Sequence, residues 1–327
     1  MAGSDFPFIL NTGRIRDQWH TMTRTSQSPR LTEHIPEPFA DLHAQDALSL
    51  AVREGDLARV TTARGSIIAR VRTSGEVTRG CVFAPIHWSG ANASQARTGA
   101  LVSAVVDPIS GEPEFKHTPA RVEPFPVEWY GFMLTREPVA VADITWWTTI
   151  RGRGFLRYEL AGRAVPRDWP VWLRQRLGAT EPSADYLDYH DAAAGIYRAA
   201  HLVGDRLQGC LYISRRPDLP DRGWLAGLFE RKRLEAAERA SLLAGRPPGG
   251  RSDAGPLVCS CWAVGRNTLR RAIAEHGLTD TRQVGARLRA GTGCGSCLAE
   301  IRVLLAERAQ KEAPSPPQPA RHYADTA

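Results

Sequence analysis

Apolar and polar positions alternate with a period of two through much of the first 123 residues, the signature of strands with one buried face. FPFILNTG reads as one strand, and GCVFAPIHW as another. DLARVTTARGSIIARVRTS gives two alternating runs around Arg64-Gly65 and so predicts a hairpin. Ahead of it, HAQDALSLAVREGD has the spacing of a short helix stopped by Gly55, and DPISGEPEF is rich in turn residues. The pattern predicts a compact, mostly β unit over 6–123.

From 124 to 244 the character is mixed. EWYGFMLTREPVAVADITWWTTIRGRGFLRYELAG alternates, DWPVWLRQRLGA is helical, and IYRAAHLVGDRLQGCLYIS predicts a hairpin around Gly204-Asp205. GWLAGLFERKRLEAAERASLLAG predicts one strong helix that buries Leu225, Leu228, Phe229, Leu242 and Leu243. GRPPGGRSDAGP, 245–256, has the composition of a flexible linker. Beyond it, over 257–306, Leu269, Ile273, Val284 and Leu288 fall at helical spacing, as do Leu298, Ile301, Leu304 and Leu305. This predicts a small helical module with its cysteines on loops at helix ends. The proline-rich stretch 311–327 is expected to be a disordered tail.

Hydrophobic residues make up 43% of the chain and charged residues 24%, a balance that suits a soluble globular protein. No apolar run approaches the roughly 20 residues of a membrane helix, and MAGSDFPFIL has no basic stretch ahead of an apolar core. The expected location is cytoplasmic, where clustered cysteines serve metals or redox chemistry more often than disulfides. The net charge of +7 is carried by arginine; the only lysines are Lys116, Lys232 and Lys311. These arginines are scattered and no nucleic-acid motif accompanies them, so neither nucleic acid nor membrane is an expected partner. A phosphate-bearing cofactor or an anionic substrate would use the same guanidinium forks.

Four of the six cysteines form two close pairs, Cys259-x-Cys261 and, after thirty-two residues, Cys294-x-x-Cys297 within GTGCGSC. A [2Fe–2S] cluster takes four thiolates, two per iron. Glycines at 291, 293 and 295 permit close backbone approach, and a helix beginning near Cys297 would aim its positive end at an anionic cluster. Zinc is the alternative, although it more often takes two Cys-x-x-Cys knuckles than a Cys-x-Cys followed by a helical spacer. About forty residues build little core alone, and a metal centre would supply the missing constraint. The pattern over about 257–306 resembles the bacterioferritin-associated ferredoxin-like [2Fe–2S] domain, which implies that Cys259, Cys261, Cys294 and Cys297 are cluster ligands.

The segment NTGRIRDQWHTMTRT, 11–25, follows an apolar strand with a turn glycine, hydroxyls and guanidinia. These suit phosphate or a polar heterocycle. The residues alone also allow Trp19 to be core and His20 to be a satisfied loop residue. Together with PEPFADLHAQDALSLAVREGDLARVTTARGSI, GCVFAPIHW and VVDPISGEPEFKHTPARVEPF, the segment resembles the C-terminal molybdopterin-dinucleotide-binding domain of the dimethyl-sulfoxide-reductase family, and within it the cytoplasmic assimilatory nitrate reductases. Some of those carry the ferredoxin-like module C-terminally. YHDAAAGIYRAAHLVGDRLQGCLYIS resembles their connecting segment.

That resemblance implies a multidomain α+β chain: a double-psi β-barrel over 6–123, a connecting α+β region over 124–244, the linker and the [2Fe–2S] domain. It implies a molybdenum bis(molybdopterin guanine dinucleotide) contacted by Thr12, Gly13, Arg14, Trp19, His20 and Thr21, with Lys116 at a second dinucleotide edge and His87 and Trp88 on the element lining the cleft. Where many relatives have Asn-Ala-Leu, this chain has Gly99-Ala100-Leu101, and Asn92 stands out of register. No catalytic residue is expected in this chain. The chain is expected to be a C-terminal piece, a split subunit or a truncated product, whose partners are an N-terminal catalytic portion and an electron donor (a ferredoxin, a flavoprotein or an NADH-linked reductase subunit). The implied function is the cofactor-binding and electron-input portion of a nitrate reductase, inactive alone. The alternatives are a formate dehydrogenase-like portion and a non-catalytic electron-transfer or cofactor-binding protein.

Overall fold

The structure is a computed structural model that describes residues 3–177, 184–250 and 253–312. Six strands close into a barrel: β1 (Phe8–Gly13), β2 (Phe39–His43), β3 (Leu57–Thr62), β4 (Gly65–Ser74), β5 (Cys81–Pro85) and β6 (Thr118–Pro124), in the order β1-β5-β2-β4-β3-β6. The β1/β5 and β2/β4 pairs are parallel and the others antiparallel. Alternate positions point inward as the period of two requires, so Phe8, Leu10, Val60, Val71, Val82 and Val122 meet in one buried core. The predicted hairpin turns at Ala63-Arg64, with Thr62 opposite Gly65.

Helix α1 (Pro29–Thr32) is a single turn, and α2 (Ala44–Ser49) follows β2. Sequence spacing carried α2 on to Gly55, but it ends at Ser49. Ala51 takes a left-handed φ of 55° while Val52 N–H returns to Ala47 O, and Gly55 (φ 88°) turns the chain into β3 instead.

The middle region is a second, wholly antiparallel sheet. Its strands are β7 (Trp129–Thr135), β8 (Trp146–Gly152), β9 (Phe155–Gly162), β10 (Ala184–Asp191), β11 (Ile196–Val203) and β12 (Arg206–Ser214), in the order β10-β11-β12-β7-β9-β8. Every residue of β7 is buried, so the alternation expected there fails. Both faces are covered: Phe132 and Leu134 pack under α4 (Arg222–Leu228), while Trp129 and Met133 pack under α3 (Trp169–Leu177). The single long helix expected over 223–245 is two short ones, α4 and α5 (Ala236–Ser241). Between them, Leu234 N–H donates to Asp205 O and Phe229 O accepts from Arg136, so the backbone groups that would continue the helix are used elsewhere. A reciprocal capping box between Glu235 and Glu238 restarts the helix.

Barrel and sheet share an apolar seam of Leu57, Ile68, Phe125, Tyr130 and Trp146, in which the Trp146 indole donates to Ile68 O at 3.1 Å. The stretch expected to be a flexible linker is folded over its described residues: Gly245 N–H bonds Leu242 O, and the carbonyls of Ala254 and Pro256 accept from Asn267 and Arg266.

The C-terminal module consists of a hairpin, β13 (Leu257–Cys259) with β14 (Val264–Gly265), and helices α6 (Arg266–His276), α7 (Thr281–Leu288) and α8 (Leu298–Glu312). Leu269, Ile273, Val284 and Ile301 form its buried core. The first two residues of the expected tail complete α8; 313–327 lie outside the described residues. Among the described residues no helix is long and apolar enough to cross a membrane.

Candidate functional site

The cysteines come together from two loops. Cys259 closes β13 and Cys261 lies in the hairpin turn, so the first pair sits on a β-hairpin rather than at a helix end. Cys297 immediately precedes α8, and backbone N–H groups of Gly291, Cys294 and Ser296 bond the sulfurs of Cys297, Cys261 and Cys294. Cys261 Sγ is 3.4 Å from Cys294 Sγ, and the side chains of Cys259 and Cys297 are hydrogen-bond partners. Each pair therefore takes one sulfur from each loop. Among the described residues no three Cys, His, Asp or Glu side chains converge as on a single ion. Two thiol pairs are the donor set that two irons with two thiolates each would use.

The glycines behave as the spacing predicts. A Cβ on Gly293 would lie 3.0 Å from Cys261 Sγ, and Gly291 and Gly295 have φ of 86° and 77°. Burial pushes the Cys297 thiol up to about 11, whereas Ser296 holds the Cys294 thiol below its ordinary value. Cys259 and Cys297 are buried and Cys294 is exposed, so the site has one edge toward the protein and one toward solvent. On the solvent side the Arg289 guanidinium stacks on Trp262 at 3.5 Å.

The front segment leaves β1 at Gly13, where a Cβ would come within 2.8 Å of the Phe83 ring; the close approach is thus made by a barrel side chain. Thr12 is buried with its hydroxyl on Phe115 O at 2.7 Å, and Lys116 Nζ donates to Thr12 O. These residues brace the end of the strand. His87, fully buried, holds the next stretch from behind: Nε2 accepts from Ile15 N–H at 2.9 Å and Nδ1 donates to His20 O at 2.5 Å. That arrangement requires a neutral ring, and burial keeps the His87 pKa below its ordinary value of 6.5. Trp88 is core, packed with Met22, Ala93 and Ala96, and its indole N–H has no partner among the described residues.

Arg14, Trp19, His20 and Thr21 are exposed. The Arg14 guanidinium stacks over Trp19 at 5.6 Å and makes no ion pair among the described residues. His20 and Met22 hold left-handed φ of 44° and 61°, strain of the kind that persists where a loop is held for function. The arrangement offers an aromatic plane, a free guanidinium fork and a hydroxyl to a planar anionic ligand. Asn92, out of register in the sequence, caps Ser89 N–H and reaches Met22 Sδ at 3.9 Å, while Leu101 is barrel core.

Acidification should loosen this loop. A histidine whose folded pKa is depressed contributes stability that is full above pH 6.5 and is lost as pH falls toward the folded value. The protection factor of the Ile15 amide, its exchange rate corrected for the intrinsic pH dependence, should therefore fall below that pH, and His87→Ala should lower it at every pH. A protection factor independent of pH in the unmodified chain would remove His87 from this role.

Sequence reasoning missed a set of residues that joins the two sites. Arg16 and Asp17, within the quoted front segment, meet His34 and the C-terminal module at Val258, Ser260 and Glu300. No local pattern marked His34 or Glu300.

Residues 8–119 match the molydopterin dinucleotide binding domain family, and residues 257–307 the BFD-like [2Fe-2S] binding domain family. A nitrate reductase of Klebsiella oxytoca is 37% identical over 303 residues, 93% of this chain and 34% of that protein. A formate dehydrogenase subunit alpha of Methanocaldococcus jannaschii is 38% identical over 123 residues, 38% of this chain and 18% of that protein. A nitrate reductase of Symbiobacterium thermophilum is 33% identical over 122 residues, 37% of this chain and 16% of that protein. Among solved structures, acetylene hydratase from Pelobacter acetylenicus aligns with a TM-score of 0.33 and 22% identity, over 37% of this chain and 19% of that chain. The chain spans about a third of the length of the Klebsiella protein and less than a fifth of the other two curated relatives. The chain thus joins residues that match a molydopterin dinucleotide binding domain to residues that match a BFD-like [2Fe-2S] binding domain, and across both it is similar to a nitrate reductase.

Proposed function

We propose that this chain is the cofactor-binding and electron-input portion of a molybdenum nitrate reductase, working with an N-terminal portion or subunit that completes the site. The observation that carries this reading is the 37% identity to a nitrate reductase across 93% of the chain, spanning both binding domains and the sheet between them. Reduction of nitrate to nitrite consumes two electrons and two protons and releases water; a protein electron donor (a ferredoxin, a flavoprotein or an NADH-linked subunit) supplies the electrons. The molybdenum and its guanine dinucleotides, when bound, supply the redox chemistry, and the protein binds, orients and tunes them.

In this reading Arg14, Trp19, His20 and Thr21 touch a dinucleotide. Thr12, Gly13, His87, Trp88 and Lys116 hold the loop that presents them. Cys259, Cys261, Cys294 and Cys297 ligate the [2Fe–2S] cluster, with the Cys294 edge facing the donor. The protein acts in the cytoplasm. A formate dehydrogenase portion is the second reading, favoured by the 38% identity of 123 residues to such a subunit. Cofactor binding alone does not fix the substrate.

Arg14 tests the dinucleotide assignment. Arg14→Ala removes fork and charge, while Arg14→Lys keeps the charge. Losing one charged hydrogen bond costs about 1.5–3 kcal/mol, a tenfold to hundredfold weakening. Pterin content of the co-expressed complex should fall in both variants, more in Arg14→Ala. Unchanged pterin in both would remove Arg14 from the site. The isolated chain should not reduce nitrate with a chemical donor, and co-expression with the N-terminal portion should restore turnover. Formate-dependent reduction of the cluster in that complex, without nitrate turnover, would transfer the assignment to the second reading.

A further inference from the structure

The iron–sulfur module rests on the same loop that carries the proposed dinucleotide contacts, through a compact charged cluster. Asp17 Oδ2 is 2.8 Å from His34 Nδ1 and accepts from Ser260 Oγ at 3.2 Å; His34 Nε2 is 3.1 Å from Glu300 Oε1. Arg16 Nη2 lies 3.3 Å from the same Glu300 oxygen and donates to Val258 O. Arg30 adds a bond to Cys261 O at 3.3 Å.

The side chains of Asp17 and His34 are only 6% and 7% exposed. Burial alone would lower the His34 pKa, but its hydrogen bonds to Asp17 and Glu300 outweigh that and raise it, so the two carboxylates favour the protonated ring. Arg16 and His34 each meet both carboxylates, and Arg16 Nε also lies 3.3 Å from His34 Nδ1. Without Glu300, which the module supplies, Asp17 would remain as the single carboxylate of this half-buried cluster.

We propose that Arg16, Asp17, His34 and Glu300 form a polar latch that holds the iron–sulfur module against the loop 14–21, so that module docking and occupancy of that loop are linked. Within one short segment, Arg14, Trp19 and His20 point to solvent, His87 supports the backbone from behind, and Arg16 and Asp17 reach the module. Ordering the loop from either side favours the other event, and linkage makes the effect reciprocal. The four are positioning residues: they hold the 257–265 hairpin and the start of α8 against the loop. The linkage half rests on the dinucleotide reading above; the docking half does not.

The test uses the co-expressed complex with its iron in place, comparing Asp17→Asn, Glu300→Gln and the double variant. Hydrogen exchange is followed at the hairpin 257–265 and at the loop 14–21. Both segments should exchange about tenfold faster in each single variant. The double variant should exceed a single one by less than the sum, because both act through His34. Helices α6 and α7, the iron content and the electron paramagnetic resonance of the reduced cluster should be unchanged, which separates undocking from unfolding. Unchanged exchange at both segments, or acceleration spread through α6 and α7, overturns the latch. Retention of pterin during dialysis, measured by fluorescence after oxidation, tests the linkage, and both single variants should lose it faster than the unmodified complex. Equal retention overturns the linkage while the exchange result still decides the latch. A complex that never contains pterin overturns the dinucleotide reading instead, and the linkage with it.

Discussion

Replacing Cys259, Cys261, Cys294 or Cys297 with alanine, one at a time, is expected to abolish the iron–sulfur centre. The unmodified chain, purified without oxygen, should contain about two irons and two sulfides. Each iron needs two thiolates, and the sulfurs are already paired across the two loops, Cys261 with Cys294 and Cys259 with Cys297. Removing any one opens an iron to solvent. The module has a small core, so the bound cluster contributes folding free energy, and its loss should also lower the module's thermal stability. The other two cysteines are controls. Cys210 is wholly buried in the sheet with its thiol pushed up to about 12, and Cys81 lies in β5 of the barrel. Cys81→Ser and Cys210→Ala should retain full iron and the visible absorption of the cluster. Stoichiometric zinc in place of iron in anaerobically purified protein would overturn the assignment.

Glu159→Ala is expected to destabilise the sheet region by about 3–5 kcal/mol, the cost of removing one partner from a buried ion cluster. Glu159 lies on β9 and is 1% exposed. Its carboxylate accepts from Arg157 at 2.7 Å and from Arg222 at 2.6 Å and 3.1 Å, and Arg70 adds a third positive charge nearby. Because Arg222 belongs to α4 and also stacks over Phe132 at 4.3 Å, the cluster fastens that helix to the sheet. Alanine leaves these guanidinia without their anion. Glu159→Gln keeps the shape and should cost less.

The pH dependence has a definite sign. Burial alone would raise the Glu159 pKa, but Arg222 and Arg157 outweigh it and hold it at about 2, against an ordinary 4.5. A depressed carboxylate stabilises the fold fully above the unfolded value, and that stabilisation disappears as pH falls from 4.5 to about 2. The shift corresponds to about 3 kcal/mol. Denaturant midpoints measured at about pH 7 and about pH 3 should differ less in Glu159→Gln than in the unmodified chain. An equal difference in both would assign the acid sensitivity to other groups.

Period-two alternation located β1, β3, β4 and β5 of the barrel and both hairpins, because a strand with one buried face must alternate; β2 and β6 went unmarked. It failed on β7, whose two faces are both covered, and sequence alone does not report what covers a second face. Helical periodicity found α6, α7 and α8, but it carried α4 through Glu230–Glu235, where Asp205 and Arg136 take up backbone groups from elsewhere in the chain. Proline and glycine content suggested a flexible linker, yet Ala254 and Pro256 are bonded to the start of α6.

At the sites, the sequence by itself determined what depends on residue type and short spacing: the two cysteine pairs, the glycines that let Gly293 pass close to Cys261, and a front loop rich in guanidinium and hydroxyl groups. Only the tertiary structure decided which sulfurs pair. It also turned Arg14 and Trp19 outward while consuming His87, Trp88 and Lys116 as supports, and it brought Asp17, His34 and Glu300 together. Short-range steric and hydrogen-bonding preferences are written along the chain and act within a few residues. Burial, charge pairing and the orientation of a loop arise from contacts between segments as distant as Arg16 and Val258, which no local pattern specifies.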